Sequence, residues 1–188
     1  MSREMTTMAT TGPLTAAQLE TMSFPDKQVE LVRGQLIVRE PPGGWHGAIQ
    51  ATLSYHVSAH VRRHDLGMVF GQDTGFRIRR DPDTVRAPDL AFVAREKAAL
   101  VPRRGYPDLA PDLVAEILSP DDRAGEVLAK IGDWLEAGTR LVWVLDPERV
   151  ESRVHRADGS IAIVALDGSL DGEDVLPGFA CPLRDVLG

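Results

Sequence analysis

Two acids interrupt stretches that otherwise read as buried strand, and they are where chemistry is to be sought first. Glu116 stands inside Leu113, Val114, Ala115, Glu116, Ile117 and Leu118, and Asp89 follows Pro88 and directly precedes the apolar Leu90, Ala91, Phe92 and Val93. A carboxylate in such a setting is costly: even an uncharged polar group loses roughly 2 to 7 kcal/mol on burial without a partner. Such an acid must therefore be paired, protonated or bound to a metal. Two acids on adjacent strands can share one hard cation, and the alternative for each is a salt bridge to one of the arginines. Lys130 adds a cation to the set. It lies at the edge of the apolar seam of Val127, Ile131, Trp134 and Leu135, so its ammonium is able to reach inward, although a lysine that only covers apolar surface with its stem would look the same. Glu30, in Val29, Glu30, Leu31 and Val32, reads either as a third acid or as a strand-edge solubiliser.

Stepping outward along the chain, residues 1–12 read as a frayed tail, rich in Thr and Met and lacking the basic and apolar regions of a secretion signal. Residues 13–188 read as one domain of ordinary size. Leu14 to Met22 has helical spacing, and Val29 to Val38 forms two β-rich halves around Arg33 and Gly34. Ile49, Leu53, Val57 and Val61 recur every four residues, which predicts a helix from Trp45 to about His64 with one apolar seam that faces a sheet. Gly67 to Arg80 and Val85 to Val93 read as two strands joined through Asp81, Pro82 and Asp83. Leu113 to Leu118 suits a central strand. Ser119, Pro120, Asp121 and Asp122 then carry the signals of a helix start, and that helix is expected to run from Pro120 to Ala137 and stop at Gly138. Leu141 to Leu145, Val150 to His155 and Ile161 to Leu166 continue the sheet to an edge hairpin that turns at Asp158 and Gly159. The tail from Asp167 to Gly188 reads as a docked irregular segment.

Composition limits the function classes. Hydrophobic residues make up 43% and charged residues 26%, the balance of a folded globular protein. There is no apolar run of membrane-spanning length, so a cytoplasmic location is expected. Cys181 is the sole cysteine, which excludes an internal disulfide framework and a cysteine-based zinc cluster within one chain. A net charge of -7 argues against nucleic-acid binding by bulk electrostatics. Arg62 and Arg63, Arg77, Arg79 and Arg80, and Arg103 and Arg104 permit a local phosphate footprint, but each also reads as a solvated face. His56, His60 and His64 fall four apart on a mostly polar helix face with no catalytic glutamate nearby, so a metal site there is not expected. His46, following Gly43, Gly44 and Trp45, is a better candidate for the mouth of a site, and Trp134 and Trp143 read as core aromatics.

The succession of these segments is more specific than any one of them. Glu30 with Leu31 to Ile37, Thr84 to Val93 with Pro88 and Asp89, Pro111 to Pro120 with Glu116, the Lys130 helix, and Leu141 to Pro147 together resemble the Uma-two family. Its members are called restriction endonucleases largely by similarity, and they are assigned to the PD-(D/E)XK superfamily. The resemblance spans about Leu14 to Leu187. It implies an α/β fold of the restriction endonuclease-like kind, a mixed sheet flanked by helices, here with a C-terminal edge hairpin. It further implies Asp89 and Glu116 as metal ligands, with Glu30 as an accessory acid. The superfamily's usual lysine two positions after the strand acid is absent, because Leu118 stands there. In the family a helical lysine is thought to replace it, and that position maps onto Lys130.

On this resemblance the expected activity is metal-assisted hydrolysis of phosphodiester bonds, with DNA as the expected substrate. Asp89, Glu116 and the main-chain carbonyl of Ile117 are expected to hold Mg²⁺, with Mn²⁺ an alternative, and Lys130 to stabilise charge in the reaction. A homodimer is expected to form through the edge hairpin and the tail residues Leu176 and Phe179. Two other classes stay open. One is a non-catalytic binding or assembly module that retains the fold, and the other is a hydrolase of a smaller phosphate ester.

Overall fold

The computed structural model describes residues 12–188. The expected tail at residues 1–12 therefore lies outside the described residues, apart from Gly12. Chain order is α1 (Ala16–Glu20), β1 (Gln28–Val32), β2 (Gln35–Arg39), α2 (Gly44–His64), β3 (Gly67–Gly71), β4 (Phe76–Arg79), β5 (Thr84–Arg86), β6 (Leu90–Ala94) and α3 (Arg95–Ala98). There follow β7 (Leu113–Ile117), α4 (Ala124–Ala137), β8 (Leu141–Asp146), β9 (Glu151–Arg156), β10 (Ile161–Ala165), β11 (Ser169–Asp171), β12 (Ala180–Pro182) and α5 (Arg184–Leu187). The class is α/β, with mixed sheets flanked by helices.

Six strands form the main sheet in the order β10-β9-β8-β7-β6-β3, and a second sheet of four runs β2-β1-β5-β4. Every pairing in the main sheet is antiparallel except β7 with β8. A parallel pair needs a crossover, and α4 supplies it. Alternation along β7 decides which side chains meet which helix, since successive residues of a strand point to opposite faces. Leu113, Ala115 and Ile117 turn toward α2, whose Ile49, Leu53, Val57 and Val61 pack with them, and Leu170, Leu176, Phe179 and Leu183 of the C-terminal segment complete that cluster. Val114 turns the other way, toward Ile131 and Trp134 of α4. Glu116 shares that second face.

Several expectations need correction. The stretches 67–80 and 85–93 each break in two, so β3 and β6 belong to the main sheet and β4 and β5 to the smaller one. Helix α4 begins at Ala124, after an Arg123 N-cap, and not at Pro120. The Ser119 to Asp122 signals close a turn of their own: Ser119 donates from its N–H and hydroxyl to Asp122 Oδ2, at 2.7 and 3.0 Å. Their capping groups are thereby used before the helix starts. The tail is more regular than expected, because β11 and β12 pair and α5 follows. Leu176 and Phe179 are buried in the α2-side cluster, so neither is available as dimer surface.

The β1–β2 hairpin turns through Arg33 and Gly34, both at positive φ, which matches the twist of a two-residue turn. A Cβ on Gly34 would stand 2.3 Å from Pro13 Cβ, so only glycine fits. The hairpin is thereby held against α1, with Leu14 and Leu19 packed on Leu31 and Val85. That contact places Glu30 over the open end of β7.

Candidate functional site

Register sets the first pair. In β6 and β7, Leu90 faces Ala115 and Ala91 faces Val114, so one further step puts Asp89 opposite Glu116. The ladder stops at Leu90, and the Asp89 side chain takes over the next bond: Ile117 N–H donates to Asp89 Oδ2 at 2.7 Å. Gln50 of α2 donates to the Asp89 carbonyl at 3.2 Å. Both acids are buried and line a cleft of about 660 Å³ whose walls include β1, β2, the Pro88 turn and the Ser119 to Asp122 turn.

The second group gathers on Lys130, which projects from α4 toward the same end of β7. Its ammonium donates to Glu116 Oε2 at 2.8 Å and to the Ala87 carbonyl at 3.1 Å, and lies 3.2 Å from Glu30 Oε1. Trp134 donates its indole N–H to Glu116 Oε1 at 2.9 Å. Glu30 Oε1 also accepts from Ala87 N–H at 3.0 Å, and Glu30 Oε2 accepts from Arg86 Nη1 at 2.8 Å. Arg86 in turn donates from Nε and Nη2 to Asp133 Oδ2, at 3.0 and 2.6 Å. Of the residues singled out from sequence, Glu30, Glu116 and Lys130 are in direct contact. Asp89 stands beside them, held by Ile117 and His46.

His46 is buried at the first turn of α2. Its Nε2 lies 3.0 Å from the Ile117 carbonyl oxygen and 3.3 Å from Asp89 Oδ2, while Nδ1 is buried without a hydrogen-bond partner. His46 lines the same cleft as Asp89 and Glu116.

Electrostatics separates the carboxylates. Burial, reinforced by Asp89 and Glu30 against the pull of Lys130, pushes Glu116 up to about 7. Burial works the same way on Glu30, but there Lys130, Arg86 and the Ala87 N–H outweigh it and bring the group down to about 2. Burial would lower Lys130, yet Glu116, Glu30 and Asp89 raise it well above the ordinary lysine value. His46 is likewise raised, burial being overcome by its contacts with Asp89 and the Ile117 carbonyl. The site thus holds a charged lysine, a firmly ionised Glu30 and a Glu116 whose proton is exchangeable near neutrality.

Asp89, Glu116 and the Ile117 carbonyl are hard oxygen donors of the kind Mg²⁺ accepts. Among the described residues no group of three or more His, Cys, Asp and Glu side chains is placed to hold a metal ion. Mg²⁺ needs no such group, because it is held by one or two carboxylates and keeps water and phosphate oxygens in its remaining positions. The triplet on α2 gathers no such set: His60 Nε2 lies 3.1 Å from the Pro177 carbonyl oxygen and its ring packs on His64.

Arg86, Asp133 and Trp134 are the parts that sequence reasoning missed in function. Asp133 had a visible signal, a lone acid between Ile131 and Trp134 on the buried side of α4. Trp134 was read as core, which it is, but its N–H also finds the acid. Arg86 carries no such signal.

With this geometry in view, the comparisons with known proteins give a consistent result. The Uma2 family, described as "Putative restriction endonuclease", matches residues 16–184. The chain belongs to that family. A solved structure titled as a putative nuclease, from Anabaena variabilis, superposes with a TM-score of 0.78 at 22% identity, covering 93% of this chain and 98% of that one. It shares the fold. No curated protein matches the chain. No helix among the described residues is long and apolar enough to cross a membrane.

Proposed function

We propose that this Uma2-family chain is a metal-dependent nuclease that hydrolyses phosphodiester bonds, with DNA as substrate. The observation that carries the reading is the meeting of Asp89, Glu116 and Lys130 at the floor of one cleft, with the Lys130 ammonium 2.8 Å from Glu116 Oε2. Asp89, Glu116 and the Ile117 carbonyl would hold Mg²⁺, or Mn²⁺ in its place. Support comes from His46, whose Nε2 lies 3.3 Å from Asp89 Oδ2 and 3.0 Å from the Ile117 oxygen, so both oxygens are turned toward the same polar spot in the cleft. When bound, the ion supplies Lewis acidity and an activated water. Lys130 stabilises negative charge that builds up on the phosphate in the transition state, which is worth most in a site closed to bulk water. Glu116 must be ionised to act, and Trp134 and Lys130 steady its two oxygens. Residues 13–188 act as one domain in this reading, in the cytoplasm.

A second reading has its own support. The ammonium of Lys130 already has three oxygen atoms around it, and the chain's net charge is -7, so a non-catalytic module that keeps the fold is the competing view. Assay of purified protein on supercoiled DNA, single strands and RNA with Mg²⁺ or Mn²⁺ separates the two. Cleavage that disappears in Glu116→Ala supports the nuclease, and no cleavage of any substrate rejects it. Pairing through the outer strand β10, where Ile161 and Ile163 are exposed, would give a homodimer. A monomer in light scattering at high concentration rejects that part.

A further inference from the structure

The lysine of the site is held by more than its two acids. An ammonium has three protons, and three oxygens surround Lys130 Nζ: Glu116 Oε2 at 2.8 Å, Ala87 O at 3.1 Å and Glu30 Oε1 at 3.2 Å. Two of these depend on what lies behind them. Glu30 keeps its position through Arg86 and the Ala87 N–H, and Ala87 is the residue that follows Arg86. Arg86 is buried and reaches in two directions at once. Nη1 goes to Glu30, while Nε and Nη2 go to Asp133, which lies on α4 one turn beyond Lys130. The contacts close on themselves: Lys130 to Glu30, Glu30 to Arg86, Arg86 to Asp133, and along α4 back to Lys130. Arg33 adds only a distant contact, 4.0 Å from Asp133 Oδ1.

The geometry points to Arg86 and Asp133 as positioning residues that fix the Lys130 ammonium against Glu116, with Glu30 as the link between the two cations. Helix α4 touches the main sheet through apolar side chains, which resist separation but tolerate small rotations and slides. The Arg86–Asp133 fork is directional, and its planar geometry fixes the angle of α4 about its axis at the turn next to Lys130. A lysine has a long flexible stem, so the orientation of the helix that carries Lys130 decides where its ammonium lies. Burial of all three groups means that none of them is a solvated surface pair, for which little effect would be expected.

What the fixed lysine does rests on the nuclease reading, but its fixation does not, and the test is chosen to keep them apart. Lys27, Lys97 and Lys130 are the chain's only lysines, so trace reductive methylation of the native, metal-free protein, read by peptide mass spectrometry, reports each of them. Lys130 should label slowest in the wild type. Arg86→Met and Asp133→Asn should raise Lys130 labelling by about tenfold or more, as expected for a local opening, and leave Lys27 unchanged. On DNA, the same variants should lower kcat by roughly 10- to 100-fold with KM little altered. Arg86→Lys should recover part of the loss, since one ammonium cannot bridge both acids.

If Arg86→Met fails to fold, Asp133→Asn decides, because the amide keeps the shape of the acid. Folded variants in which Lys130 labels at the wild-type rate overturn the proposal. So does an equal rise at Lys27, Lys97 and Lys130, which would report a general loosening. A rise confined to Lys130 in a protein that cleaves nothing upholds the positioning and rejects the nuclease.

Discussion

A buried acid with a lysine partner stands at each end of β7, Asp112 just before the strand and Glu116 near its close, and the two ends are put to different uses. At one end Asp112 receives the Lys97 ammonium at 2.8 Å on Oδ1 and the Ala94 N–H at 2.8 Å on Oδ2. At the other end Glu116 receives Lys130 at the same 2.8 Å. Distance does not distinguish them. Surroundings do: the Lys97 side chain is 36% exposed and meets one acid, whereas that of Lys130 is 15% exposed and stands between two acids, with Asp89 next to them. Asp112 ties α3 to the end of β6 and satisfies a backbone donor. Glu116 sits among charges of both signs at the floor of a cleft. A buried acid–lysine pair is therefore no mark of an active site by itself. What sets the Glu116 end apart is an excess of carboxylate around the lysine, open to a cavity.

The sharpest way to break this contrast is to remove each lysine in turn. Lys130→Ala should lower DNA cleavage by roughly 10²- to 10³-fold, the scale of losing one charge-stabilising donor, and Lys97→Ala should leave it near normal. Equal loss from both would erase the distinction. Lys130→Arg should rescue poorly, because the planar guanidinium does not reproduce a point charge among these three oxygens.

Metal linkage comes next in size. Mn²⁺ or Mg²⁺ should raise the melting temperature of the wild type, by an amount corresponding to about 2.7 kcal/mol at one hundred times Kd, and should not stabilise Asp89→Ala. Asp112→Asn should respond like the wild type. Calorimetry with both ions checks this, and identical shifts in all three proteins would remove Asp89 from the metal site. Since Glu116 is held up at about 7, metal binding has to displace its proton. Affinity measured by titration should strengthen with each step in pH up to about 7 and then level off.

Stability against pH should show the two glutamates working in opposite senses. Glu30, brought from 4.5 to about 2, stabilises the fold above pH 4.5, and this contribution is lost as pH falls toward 2. Glu116, raised from 4.5 to about 7, keeps a proton that the unfolded chain has released, so its contribution declines as pH rises through that interval. Urea midpoints against pH should therefore lose their acid-side fall in Glu30→Gln and their decline toward neutrality in Glu116→Gln. The smallest effect belongs to the far end of β7, where Lys97→Ala should cost about 1 kcal/mol or less, as for a partly exposed ion pair.

Much of the site was legible because burial and charge conflict visibly in a sequence. Glu116 in a run of apolar strand residues and Lys130 on the edge of a helical seam are violations of pattern, and violations point to sites. That Asp89 and Glu116 lie on neighbouring strands was expected, but the register that sets them opposite each other had to come from the structure. What could not be read is the route by which Arg86 reaches both Glu30 and Asp133. That requires β5 to leave the main sheet and pair with β1, and the long apparent strands at 67–80 and 85–93 hid the breaks. Period-two alternation survives a change of sheet, so nothing in the pattern marks where one sheet ends. The late start of α4 was missed for a similar reason, since Ser119 and Asp122 satisfy each other within one turn and look the same in sequence as a helix cap.

The parallel pairing of β7 with β8 has a consequence for where the cation can come from. Glu116 and Lys130 are 14 residues apart and belong to one strand–helix–strand unit, with α4 obliged to cross over the face that Glu116 occupies. The topology itself therefore holds the middle of that helix over the acid, so that Lys130 and, one turn on, Trp134 each reach a different oxygen of Glu116.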